Sequence, residues 1–163
     1  MTEVHRWLIR ILQTLVVISL CSMSVLTVVD ASGRYFLNAP VAGTVELIEL
    51  LMIFVIFASI PVVTFQRSHV NVDLLDGTLP PKITAIQLRI AELVSALISA
   101  LLAYATWKKA VSVVEYGDTT PMWSIPLAPF LFTMVGLLAL DALLHARAVF
   151  VAPDKNVIKK TML

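Results

Sequence analysis

Charge is scarce in this 163-residue chain. Asp, Glu, Lys and Arg make up 14% of it, against about 25% in soluble globular domains. With 59% hydrophobic residues and a mean hydropathy of +0.91, that shortage excludes an ordinary soluble domain. A net charge of +1, with no basic patch interleaved with aromatics, excludes nucleic acid as a partner. A single cysteine excludes an internal disulfide. Cys21 lies midway along an apolar run and reads as a small buried hydrophobe rather than a reactive thiol. Enzymatic signatures are missing as well: there is no H-E-x-x-H, no P-loop and no G-x-S-x-G. His5, His69 and His145 are far apart. No catalytic residue, cofactor or metal site is expected.

Long apolar runs take the place of these features. Ile11–Val29, Leu50–Gln66, Leu93–Trp107 and Thr119–Leu140 contain no Asp, Glu, Lys or Arg. A spanning helix needs roughly 20 mostly apolar residues. The expected fold is therefore an all-α membrane protein with four transmembrane helices, at about 8–32, 44–67, 84–112 and 127–149. They form a single four-helix transmembrane domain over 1–163. The first run is longer than a signal-peptide core and no A-x-A site follows it, so it is expected to be retained.

Nine of the twelve Lys and Arg residues fall on the side of the membrane that holds both termini. Only Arg34, Lys108 and Lys109 fall on the other. The positive-inside rule then gives an N-in, C-in topology with both termini cytoplasmic. Between spans two and three, the segment at about 68–80 places His69, Asp73 and Asp76 on one narrow stripe at 100° per residue. A short amphipathic helix lying in the interface is expected there. Span three lacks Gly and Pro from Ile83 to Tyr116, longer than the bilayer core requires. Pro61 falls inside span two and is expected to kink it. Pro121, Pro126 and Pro129 suggest an irregular, extended approach to span four, with Trp123 in the interfacial aromatic zone.

The charges that remain sit near span ends. Asp30 and Arg34 are four apart and can pair on one helical face. Glu46 and Glu49 share a face in the first turns of span two, where acids also favour the helix dipole. Arg89 and Glu92 can pair likewise. Asp141 is the acid closest to the middle of a span, and an ion pair with His145 and Arg147 is its expected state. No internal repeat is visible, which counts against an inverted-repeat transporter made by this chain alone.

Three stretches, GRYFLNAPVAGTVELIELLM, QRSHVNVDLL and GDTTPMWSIPLAP, stand in order along the chain. Together they resemble the small membrane subunit of TRAP transporters, the tripartite ATP-independent periplasmic transporters. The likeness runs from about Leu8 to Phe150. It includes an R-Y-x-x-N-x-P turn (Arg34, Tyr35, Asn38, Pro40), the glutamate Glu46 opening the second helix, and an H-V-x-V-D segment (His69, Val70, Val72, Asp73). The resemblance implies a non-catalytic scaffold in the bacterial inner membrane. Its partners would be a large multi-span subunit that moves substrate and coupling ion by an elevator motion, a periplasmic substrate-binding protein, and membrane lipid. The implied substrates are organic acids. Asp30, Arg34, Tyr35, Asn38, Glu46, Glu49, His69, Asp73 and Asp141 are the candidate contacts between helices or subunits. Two other classes remain open: a stand-alone four-span transporter, and a non-transport membrane assembly protein. The first of these is disfavoured because Ile11–Val29 holds no acid.

Overall fold

The computed structural model describes residues 3–66 and 81–150. The expected interfacial helix at about 68–80, with His69 and Asp73, lies outside the described residues, as does the C-terminal tail. Four helices make up most of what is described: α1, Glu3–Leu37; α2, Thr44–Gln66; α3, Pro81–Tyr116; and α4, Ala128–Phe150. The segments Arg6–Leu37, Thr44–Phe65, Ile86–Tyr116 and Ala128–Phe150 are each long and apolar enough to cross a membrane. Each charge-free run thus falls wholly or largely within one helix.

Local chemistry sets the ends. Asn38 takes a left-handed φ of 50° and reverses the chain after α1, a conformation Asn tolerates better than most residues. Its neighbour Ala39 returns its N–H to the Gly33 carbonyl at 3.3 Å. At the end of α3, Gly117 has φ 66° and Asp118 N–H bonds the Val113 carbonyl at 3.2 Å. This is a Schellman cap, which needs a residue without a Cβ penalty at the left-handed position. Pro81 opens α3 at the position where its missing N–H costs nothing. Pro61 lies fully buried inside α2, which continues through it to Gln66.

The helices have 35, 23, 36 and 23 residues in chain order. At 1.5 Å per residue, α1 and α3 are about 52 and 54 Å long, well beyond a hydrocarbon core of about 30 Å. Both must tilt or project.

Packing follows the order α1–α2–α4–α3: α1 lies on α2, α2 on α4, and α4 on α3. Among the described residues no other pair packs extensively. The result is an open row rather than a closed bundle. Leu12, Ala58 and Val62 form the centre of its core, with Leu8, Leu15, Val16, Leu137 and Leu140 packed around them. Phe54 meets Phe130 edge-on at 5.9 Å, and Trp107 meets Phe132 at 5.6 Å. The small Ala58 and Ala110 are completely covered, as expected where helices approach closely in lipid. The outermost helices each have one packed flank, so α1 turns Val17, Val25 and Val28 outward, and α3 turns Leu97, Leu101 and Tyr104 outward. Cys21 is on such an outward face and is exposed. The expectation that it is buried is corrected: its apolar run is not covered by the other helices of this chain at that position.

Candidate functional site

Polar side chains gather at two places along this apolar row. The first is the end that carries both short connections. Asp30 accepts a hydrogen bond from Arg34 Nη2 at 2.6 Å through Oδ2, and from the backbone N–H of Val41 at 2.9 Å through Oδ1. One carboxylate therefore ties the last turns of α1 to the residues that lead into α2. Glu46, in the first turn of α2, reaches the α3–α4 connection: its carboxylate accepts the N–H of Met122 at 2.5 Å and of Trp123 at 3.1 Å. The Trp123 indole N–H donates to the Ala42 carbonyl at 3.1 Å. The ring lies over Gly43, whose φ is +80°.

The α3–α4 connection is closed, not extended. Thr119 and Pro126 form an isolated antiparallel bridge. Thr120 N–H bonds the Ile125 carbonyl at 3.0 Å, its hydroxyl accepts the Ile125 N–H at 3.1 Å, and Leu127 N–H bonds the Asp118 carbonyl at 3.2 Å. The prolines at 121, 126 and 129 remove three donors, and the N–H groups of Thr120, Met122, Trp123, Ser124, Ile125 and Leu127 are used within the loop or by Glu46. That corrects the extended approach expected from proline content. The carboxylate pair also divides: Glu46 holds the loop, whereas Glu49 is exposed. Tyr35 is 83% exposed and stands edge-on to Phe36 at 5.1 Å, so the end of α1 presents aromatic surface outward.

Glu46→Ala is expected to loosen the loop without unfolding the row. Amide hydrogen exchange at Met122 and Trp123 should accelerate by at least about tenfold, with protection in α4 retained, because locally opening segments exchange independently of the core. Unchanged exchange at both amides would show that Glu46 does not hold the loop.

The second polar cluster lies inside the row, where α2, α4 and α3 meet. Asp141 is 1% exposed and His145 3%. Asp141 accepts hydrogen bonds from Thr64 Oγ1 of α2 and Ser99 Oγ of α3, both at 2.6 Å. His145 stands one turn on; its Nε2 is 3.8 Å from Asp141 Oδ2 and 3.3 Å from Thr64 Oγ1. Its Nδ1 is 2.6 Å from Glu92 Oε2 of α3. Toward an ionised carboxylate, Nδ1 is the donor of that bond. Every buried side-chain nitrogen and oxygen among the described residues has a partner, as a low-dielectric interior demands.

Two expectations change here. Of the two basic partners expected for Asp141, His145 stands 3.8 Å away and Arg147 forms no ion pair among the described residues; the closest contacts of Asp141 are the two hydroxyls. Glu92 turns to His145 on the neighbouring helix rather than to Arg89 on its own. Thr64, Ser99 and Glu92 were missed as partners of this site. The available signal was weak: Thr64 and Ser99 are isolated hydroxyls in apolar runs, and such residues tend to face a neighbouring helix. Among the described residues, no group of three or more His, Cys, Asp or Glu could hold a metal ion. The cluster can do one thing well: it fixes three helices in register through directional bonds.

Neither a search of curated proteins nor one of solved structures finds a match. A family model does match, over residues 23–152. That range contains both polar clusters and all of α2, α3 and α4. The chain belongs to the family described as tripartite ATP-independent periplasmic transporters, DctQ component.

Proposed function

We propose that this chain is the non-catalytic scaffold of its transporter. It lies N-in and C-in in the inner membrane and supports a large elevator-type subunit. That subunit carries an organic acid, delivered by a periplasmic binding protein, with a coupling ion. The observation that carries this reading is the open row of helices, pinned by polar bonds at two levels. α1 and α3 spread apolar side chains outward, a shape that enlarges a stationary wall in the bilayer. The buried acid supports it too. Asp141 spends its carboxylate on Thr64 and Ser99, the arrangement of a fixed fastener.

Asp141 is also the observation that favours a second reading, a self-sufficient small transporter, since acids within membranes often line ion paths. Reconstitution separates the two. The chain alone in liposomes should take up no organic acid, whereas the chain with its large subunit and binding protein should. Uptake by the chain alone would overturn the scaffold reading.

Assembly gives a further check. Arg34 is two-thirds exposed at the connection end and tied to Asp30; Lys159 belongs to the tail outside the described residues. Arg34→Ala should reduce co-purification of the large subunit more than Lys159→Ala. Equal recovery with both variants would remove the connection end from the subunit interface.

A further inference from the structure

We propose that the groove formed by the N-terminal half of α1 against α2 binds one anionic phospholipid, with Arg10 holding its phosphate. The groove has a volume of about 690 Å³, within the range of roughly 300–1,000 Å³ typical of ligand sites. Its α1 wall repeats at helical spacing through Trp7, Arg10, Thr14 and Ile18, and Leu51 and Phe54 of α2 line it further along. Its surface is almost wholly apolar, and its polar residues are ordered along α1: Trp7 and Arg10 lie nearest the helix N-terminus and Thr14 follows one turn inward. That is the profile of a headgroup followed by an acyl chain.

Charge complementarity selects the occupant. Arg10 lines the groove, and among the described residues no ion pair engages it. The nearest acid on its own helix, Glu3, is bonded to Arg6. Among the described residues no carboxylate pairs with this cation, so at the rim of an apolar slot in the bilayer its partner is a lipid phosphate. A guanidinium fork matches phosphate oxygens in a bidentate manner, and basic pockets between membrane helices are suited to anionic headgroups. Trp7, 61% exposed, offers an apolar body and an N–H donor at headgroup level. A zwitterionic phospholipid offers the same phosphate but brings its own ammonium beside Arg10, so the headgroup of net negative charge is favoured. This inference rests on the four membrane-spanning helices and not on the scaffold reading, so either can fail without the other.

The test is native mass spectrometry of the full chain released from detergent, titrated with phosphatidylglycerol or phosphatidylcholine. Wild type should retain one phosphatidylglycerol with a preference of about fivefold over phosphatidylcholine, the scale set by one basic residue meeting a net negative rather than a zwitterionic headgroup. Arg10→Gln should erase the preference, Arg10→Lys should keep part of it, and Lys108→Gln at the opposite end should leave it intact. Ile18→Trp, which fills the slot, should remove the bound lipid while the helical circular dichroism signal stays unchanged. Three results would overturn the proposal: equal retention of the two lipids by wild type, an undiminished preference in Arg10→Gln, or a dimer of the chain that Ile18→Trp dissolves in place of lipid.

Discussion

Asp141→Ala is expected to destabilise the isolated chain by about 2 kcal/mol. The figure follows from the bonds lost. An interhelical hydrogen bond in a membrane bundle contributes about 0.6 kcal/mol on average and about 1.7 at most. Asp141 accepts two, from Thr64 and Ser99, and also faces His145. Alanine removes all of these and leaves two hydroxyls without their acceptor in a site that is otherwise fully bonded. Thr64 recovers part of the loss, because its hydroxyl is 3.2 Å from the Ile60 carbonyl. Unfolding in mixed micelles, followed by circular dichroism, should shift by about thirtyfold in the equilibrium constant. Asp141→Asn keeps one acceptor oxygen and should lose about half as much. The combined variant Thr64→Val/Ser99→Ala/Asp141→Leu should be more stable than Asp141→Ala, since removing both sides of a buried bond costs less than removing one. If Asp141→Ala unfolds at the wild-type midpoint, the cluster is not what keeps α2, α3 and α4 together.

The same residue shows where reading the sequence stops. The four spans were legible because membrane helices need about 20 uninterrupted apolar residues and charge interrupts them visibly. The Asp30–Arg34 pair was legible because both residues sit on one helix, four apart. Asp141 was visible as an oddity, but its partners were not. Thr64 is 77 residues away and Ser99 is 42. They meet only because α4 lies between α2 and α3, and no local periodicity encodes that order of helices. Glu92 shows the limit from the other side. Arg89 is a good partner by spacing, yet the tertiary contact with His145 takes the carboxylate. Glu46 behaves alike: its place in a first helical turn announced a capping acid, and its use as an acceptor for Met122 and Trp123 needed the fold of a loop 76 residues on.

That loop meets α2 most closely at Gly43, and Gly43→Ala is the second large effect expected. Two costs combine there. The backbone has φ +80°, a left-handed conformation that costs a residue with a Cβ about 1–2 kcal/mol. The new Cβ would also lie 2.2 Å from Trp123 Nε1 and 2.5 Å from its Cδ1, so the indole must leave. Leaving breaks its bond to the Ala42 carbonyl, worth about 1 kcal/mol. The total is about 2–3 kcal/mol, concentrated at the connection end. Trp123→Ala alone should cost about 1 kcal/mol, the bond to Ala42. In the double variant no indole remains to collide, so only the backbone cost and the lost bond persist. The double variant should then fall short of the sum of the singles by about 1 kcal/mol, a coupling within the range for residues in contact. Strict additivity would mean that Gly43 is required for its backbone alone and that Trp123 packs there without consequence. A coupling of the expected size would mean that the left-handed glycine exists to admit the indole. The α3–α4 loop would then be seated on α2 by a ring and a carboxylate together, with Glu46 holding the two amides beside it.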